Sequence, residues 1–278
     1  MKTYSARLLI DSRAAHGEGP VWDAVGDRLL WVDLTGCKLH AFSPRTGAVE
    51  TRAFAEPVCA AAPHADGRLL VAFAKRLAWV DWDSGQITET ICPVEPDLAG
   101  NRSNDGKLDP LGRFWIGTMS QGGSVAGALY RLDGNRLTRV LDSLTIANGM
   151  GWTSDRRTMF FIDSPVREVW AFDFDPADSS IANRRTVVRV PANLGVPDGM
   201  CVAADDTLWV AHWGAGCVCR WDPISGRLLE KVLTGCPHTS SCCLGPDGGL
   251  YITTSRLGLN DAALRAAPHS GGLFQFKP

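Results

Sequence analysis

The chain has 278 residues, 45% of them apolar, with 28 Lys and Arg against 30 Asp and Glu. That is enough apolar material for a sizeable core, and the near-neutral balance excludes the basic excess that nucleic acid or an anionic membrane requires. No apolar run reaches the roughly 18 residues of a membrane-crossing helix. The first ten residues lack the apolar stretch of a signal peptide, so a cytoplasmic protein is expected.

Taken in chain order, the elements are short strands separated by turns. Residues 5–10 have strand character and stand before a pattern that then recurs. Its copies begin at Arg28-Leu29-Leu30-Trp31, Arg68-Leu69-Leu70-Val71 and Arg113-Phe114-Trp115-Ile116, and continue at Thr158-Met159-Phe160-Phe161, Thr207-Leu208-Trp209-Val210 and Gly249-Leu250-Tyr251-Ile252. The spacing is roughly 40–50 residues, the period of a β-propeller with one blade per copy. Between copies lie turns such as Asp83-Ser84-Gly85 and Asp222-Pro223-Ile224-Ser225-Gly226, where glycine accepts a positive φ. One short helix is expected over residues 261–267, and the final strand over 272–276 needs a partner. The reading is therefore all-β: a single six-bladed propeller domain over residues 1–278, its last blade closed by the N-terminal strand. A β-sandwich or two-domain chain would explain the short strands but not their spacing. A closed ring has no long free edge, so a monomer is expected.

The nine cysteines are odd in number and include no paired CxxC motifs, so they read as small buried thiols rather than a zinc site or a disulfide framework. Cys217 and Cys219 fall on one strand face, whereas the adjacent Cys242 and Cys243 face opposite ways. Trp22, Trp31, Trp115, Trp152 and Trp209 occupy repeat-equivalent places and read as core between blades.

Nine or ten residues before each anchor stand Glu18, Val58 or Cys59, Asn104, Asn148, Asp198 and Ser240 or Thr239. Equivalent positions of a propeller ring the central axis. Most of these carry a side-chain oxygen beside apolar strand sequence, which is costly unless a common partner satisfies them. Two carboxylates and two amide carbonyls suit a hard divalent cation. So few protein ligands leave positions for water and substrate, the catalytic pattern. Glycine follows Glu18, Asn104, Asn148 and Asp198 at one or two positions, as in Glu18-Gly19, Asn148-Gly149 and Asp198-Gly199, and permits close backbone approach.

At these residues the chain resembles the gluconolactonase/regucalcin (senescence marker protein) family. The resemblance rests on Gly17-Glu18-Gly19-Pro20-Val21-Trp22, Asn104-Asp105-Gly106-Lys107-Leu108-Asp109-Pro110, Ala147-Asn148-Gly149-Met150-Gly151-Trp152, Pro197-Asp198-Gly199-Met200-Cys201 and Thr239-Ser240-Ser241-Cys242-Cys243, running from residue 17 to about 256. It implies a six-bladed propeller that hydrolyses sugar-acid lactones with one divalent metal. The ion could be Ca²⁺, Zn²⁺, Mn²⁺, Mg²⁺ or Fe²⁺, held by Glu18, Asn148 and Asp198. It further implies substrate contacts from Arg102 and Asn104. Asp198, or a water acidified by the metal, would act as base and nucleophile, opening an aldonolactone to the aldonic acid. After Gly117-Thr118-Met119 the chain reads Ser120-Gln121-Gly122-Gly123, where animal members carry acidic residues; that stretch is expected over the pocket. Asp105 and Lys107 are expected either as supporting charges or as paired with each other or with neighbours. Of the histidines, His212 is expected nearest the pocket and His16 lies beside Glu18, both in packing or orienting roles. The competing functions are a calcium-holding regulatory binding protein without turnover, and an esterase of the paraoxonase type, which would need an apolar pocket.

Overall fold

The computed structural model describes residues 2–277. Six antiparallel four-stranded arrays follow one another along the chain. Their innermost strands are Gly17–Asp23, Val58–Pro63, Asn101–Leu108, Ala147–Trp152, Val196–Val202 and Thr239–Leu244. The first five blades run outward from the inner strand through successive hairpins, so chain order and radial order coincide in them, and the sixth does so for its first three strands.

The runs of apolar sequence in the second strands follow from burial on both faces. Along Arg28–Asp33, Leu29 and Trp31 pack toward the last blade with Tyr251 and Leu273, while Leu30 and Val32 pack toward the second blade with Val71 and Phe73. Alternation of side chains sends neighbours to opposite blades, so a strand buried on both faces reads as continuously apolar. Six such clusters fill the six interfaces between neighbouring blades, including the one joining the last blade to the first. Trp31, Trp115 and Trp209 are buried in them, and Trp22 and Trp152 pack against their margins.

Closure is as expected, with one addition. Arg7–Ile10 pairs antiparallel with Leu273–Phe276 and becomes the outer strand of the last blade. The residues before it go further: Lys2–Ser5 pairs parallel with Arg227–Leu233 and adds a fifth strand to the fifth blade. The N-terminus thus ties two neighbouring blades together. The short helix forms over Asp261–Ala266, capped by Asn260, whose side chain accepts from the Ala263 amide. All nine cysteines are free thiols; the sulfurs of Cys217 and Cys219 lie 3.8 Å apart on one face, and Cys242 and Cys243 enter different interblade clusters. No helix among the described residues is long and apolar enough to cross a membrane.

Candidate metal centre and substrate pocket

Every innermost strand carries an irregularity of register at the same place. The pairing slips between Glu18 and Val21, Val58 and Ala60, Ser103 and Gly106, Ala147 and Met150, Pro197 and Met200, and Thr239 and Ser241. A bulge breaks the pleat and re-aims a side chain. The residues at or in these breaks are Glu18, Cys59, Asn104, Asn148, Asp198 and Ser240, one per blade. All six are buried. Close packing at the axis demands glycine beside them: a Cβ on Gly149 would lie 2.6 Å from the Asp198 carbonyl oxygen, and one on Gly199 2.1 Å from Ser241 Oγ.

Carboxylates at the ends of second strands hold the inner strands in place. Asp33 accepts from the amides of Ala15 and His16 at 3.0 and 2.9 Å, just before Glu18. Asp163 does the same for Thr145 and Ile146 at 3.1 and 2.9 Å, just before Asn148. In the fifth blade the equivalent residue is His212, which pairs with Pro197 as Asp33 pairs with Gly17 and Asp163 with Ala147. It is fully buried; its Nδ1 lies 3.0 Å from the Leu194 carbonyl, and its Nε2 accepts from Trp221 Nε1 at 3.3 Å. That pattern makes Nδ1–H the donor. His212 is therefore a structural latch beneath Asp198 and does not border the pocket, whereas His16 does.

A cavity of about 260 Å³ opens at this mouth of the channel, and Glu18, Arg102, Asn104, Asn148 and Asp198 all line it. The five residues expected to form the site are thus brought together. None of Ser120, Gln121, Gly122 and Gly123 borders this cavity; their predecessor Met119 does. The expectation of a loop over the pocket at that point is corrected, because the second strand runs through Ser120 before turning. Sequence reasoning missed Ser164, Ile146, Val196, Trp213 and Leu257, which complete the wall. Repeat register was the available signal: Ser164 and Trp213 each follow a latch residue, and Ile146 and Val196 each stand two positions before a ring residue.

The polar atoms can be accounted for one by one. Asn148 Nδ2 donates to Ser164 Oγ at 3.1 Å and to Asp198 Oδ1, while Asn148 Oδ1 is buried with no partner. Arg102 donates to the Ser103 carbonyl and to Asn104 Oδ1, both at 2.8 Å, and Asn104 Nδ2 donates to the Ala147 carbonyl at 2.9 Å. The Gly19 amide donates to Glu18 Oε2 at 3.1 Å. One oxygen of Glu18 and one of Asp198 are left uncommitted within these contacts.

Burial pushes the Glu18 carboxyl well above the usual carboxylate range, and repulsion from Asp198 and Asp105 adds to the effect. Asp198 is raised by the same burial and by Asp105. Asp105 is raised by burial, offset in part by Lys107. Lys107 reaches across the channel to donate to the Met200 carbonyl at 2.8 Å, and with Asp105 it lines a second cavity of about 160 Å³ behind the ring. Two buried carboxylates and an orphaned amide oxygen converging on one space fit a hard divalent cation, which would satisfy the lone oxygen and remove the repulsion. Glu18, Asn148 and Asp198 are the residues that would hold it. No cluster of three or more His, Cys, Asp or Glu occurs among the described residues; the set here is two carboxylates and an amide oxygen.

Comparison with known proteins agrees with this architecture. The family model for the SMP-30/gluconolactonase/LRE-like region matches residues 16–256. The regucalcin of Gallus gallus is 36% identical over 268 residues, covering 93% of this chain and 89% of its own length. The solved structure of a calcium-binding protein, regucalcin, from Agrobacterium tumefaciens superposes with a TM-score of 0.93 at 28% identity, covering 99% of this chain and 94% of that one. A gluconolactonase from Xanthomonas campestris superposes with a TM-score of 0.76 at 26% identity, covering 97% and 89%. With a family model spanning most of its length and a relative above 30% identity, the chain belongs to the SMP-30/gluconolactonase/LRE-like family.

Proposed function

We propose that this protein hydrolyses the ring ester of a hydroxylated lactone, a sugar-acid lactone, to the open-chain aldonic acid at the mouth of the channel. The observation that carries the reading is the convergence of two kinds of group in one small cavity: a cation-binding set with an orphaned Asn148 oxygen, and the Arg102–Asn104 pair beside it. The similarity to a gluconolactonase supports the reaction, and the similarity to a calcium-binding regucalcin supports the cation.

A divalent cation held by Glu18, Asn148 and Asp198 would supply the positive charge that a ring carbonyl and a bound water need. The chain's own residues do the rest. Asn148, fixed by Ser164, leaves its carbonyl oxygen free to serve as a ligand while its amide nitrogen orients Asp198. Asp198 has its other oxygen available to accept the proton of the attacking water and return it to the departing ring oxygen. Arg102 uses two bonds to hold Asn104 and its own strand, and its remaining donors face sugar oxygens. The rigid hydrogen-bonded frame positions these groups before substrate arrives, which is where such sites gain most of their rate. A calcium-holding protein without turnover would need only the cation ligands and gives the Arg102–Asn104 pair no task.

The test is proton release at constant pH from a panel of five- and six-membered aldonolactones, using chelated protein resupplied with Ca²⁺, Mg²⁺, Mn²⁺, Zn²⁺ or Fe²⁺. Hydrolysis restored by one or more ions is expected, and Asp198→Asn should lower kcat by about 10²–10⁴-fold. Background rates for every lactone with the cation demonstrably bound would exclude the hydrolase and leave the binding protein.

A further inference from the structure

We propose that Trp213 is the residue that reads the ring of the substrate: the lactone enters edge-on, with its hydroxylated edge toward Arg102 and Asn104 and one C–H face against the indole. The inference rests on the sugar-lactone reading above and adds a specificity-determining residue to it.

The pocket is divided by chemistry. Its floor is polar, whereas Met119, Ile146, Val196, Trp213 and Leu257 make an apolar wall above it. A hydroxylated lactone is divided the same way, with oxygens around the rim of the ring and C–H groups on its faces. The C–H groups carry slight positive charge and match the negative face of an aromatic ring. Trp213 is the aromatic side chain other than His16 among the residues lining this cavity. The volume of about 260 Å³ lies below the roughly 300–1,000 Å³ of sites for larger ligands and suits a single sugar ring.

The indole is held in place before any ligand binds. One face stacks on His238, with centroids 4.0 Å apart and planes 12° from parallel. His16 meets it at a right angle, 5.5 Å between centroids and 80° between planes. A backbone bridge joins Trp213 to His238 across the two blades. Trp213 is nevertheless half-buried rather than sealed, as a platform requires. Trp31 and Trp115, deep in the interblade core, are enclosed, and Trp22 and Trp152 at its margins are half-buried as well; what sets Trp213 apart is that its open side borders the cavity.

The experiment uses the cation-loaded full chain and measures binding by calorimetry. The probes are hydroxylated five- and six-membered lactams, whose amide resists hydrolysis, and the matching open-chain aldonates, which have no rigid ring face. Trp213→Leu should weaken lactam binding by about three- to tenfold and aldonate binding less than twofold, while Trp213→Phe keeps most of the lactam affinity. In the wild-type chain, proton resonances from one face of the bound lactam should move upfield under the indole ring current, a readout that needs no variant to fold. Equal weakening for lactams and aldonates, the absence of any upfield shift, or no lactam binding by the wild type would overturn the proposal. If lactams bind through Trp213 but no lactone is turned over, the stacking stands and the hydrolase reading falls. If lactones are turned over and Trp213→Leu binds lactams as the wild type does, only the stacking falls.

Discussion

His212 and Trp213 stand side by side in sequence and serve opposite sides of one strand. Side chains alternate along Leu208–Trp213, so the residue next to the pocket in space is the tryptophan, and the histidine turns into the blade interface. A sequence reading that looks for chemistry selects the histidine; only the register of the strand selects its neighbour. Burial pushes the His212 pKa down to about 4, and its neutral ring is held by Leu194 and Trp221. Between that value and the ordinary 6.5, the unfolded chain binds a proton that the folded chain refuses. Stability therefore rises with pH across this window and is lost as pH falls from about 6.5 toward 4. The contribution of His212 between pH 7.5 and 5.0 is about 2 kcal/mol. His40, also lowered to about 4 by burial, adds in the same direction. In urea titrations at the two pH values, His212→Gln should lower stability at pH 7.5 and show a smaller loss on acidification. A variant with the full wild-type pH dependence would refute the latch as a source of the acid sensitivity.

Among the elements, the inner strands show what was legible and what was not. Stepping back from the repeat anchors left two choices at the second and last blades, Val58 or Cys59 and Ser240 or Thr239. The bulges resolve both, since the break in pairing makes Cys59 and Ser240 the ring members. A bulge changes which face a residue takes without altering the hydrophobic pattern enough to announce itself. The outer strands pose the reverse case. Residues 5–10 are visibly strand-like, and Arg7–Ile10 takes the expected place. Lys2–Ser5 has no apolar run to mark it, yet Tyr4 packs with Phe276 at 5.0 Å and the strand pairs with the fifth blade. Removal of residues 1–10 would uncover the outer edge of Leu273–Phe276 and strip Tyr4, Ala6 and Leu8 from the cluster between the last two blades. The three are only partly buried, so each contributes less than the roughly 1.5–3 kcal/mol of a fully buried large side chain, and the combined loss is on the order of a few kcal/mol of a total of about 5–15. A clearly lower thermal midpoint by circular dichroism is expected, with aggregation through the opened edge. An unchanged midpoint would mean that the ring closes without the N-terminal strands.

At the scale of the whole molecule, Glu18, Asn148 and Asp198 come from the first, fourth and fifth blades, and meet only because the ring closes. The site and the fold are then one structure, so a cation bound to the folded chain stabilises it by mass action. At about 100 times its dissociation constant the gain is about 2.7 kcal/mol. Thermal melts of chelated protein should therefore shift upward when a preferred cation is added, and Asn148→Leu should abolish most of the shift while keeping the fold. Equal shifts in both proteins would place the cation elsewhere. The period of the strands, the six blades, the closing strand and the ring positions of Glu18, Asn104, Asn148 and Asp198 were readable from the amino-acid order, because each blade repeats the same local physics and equivalent positions inherit the same place on the ring; Arg102 came from the family resemblance instead. The wall of the pocket was not readable in this way. Ser164 and Trp213 lie just past the latch residues at strand ends, where the register places them but no hydrophobic pattern marks them, and Leu257 lies in a connection with no repeat equivalent to point to it. Their neighbours in space are other blades, as in the bridges Met119 to Ile146 and Trp213 to His238. Local pattern determines which face a side chain takes within its own blade; which side chains confront one another across the channel is decided by closure of the ring.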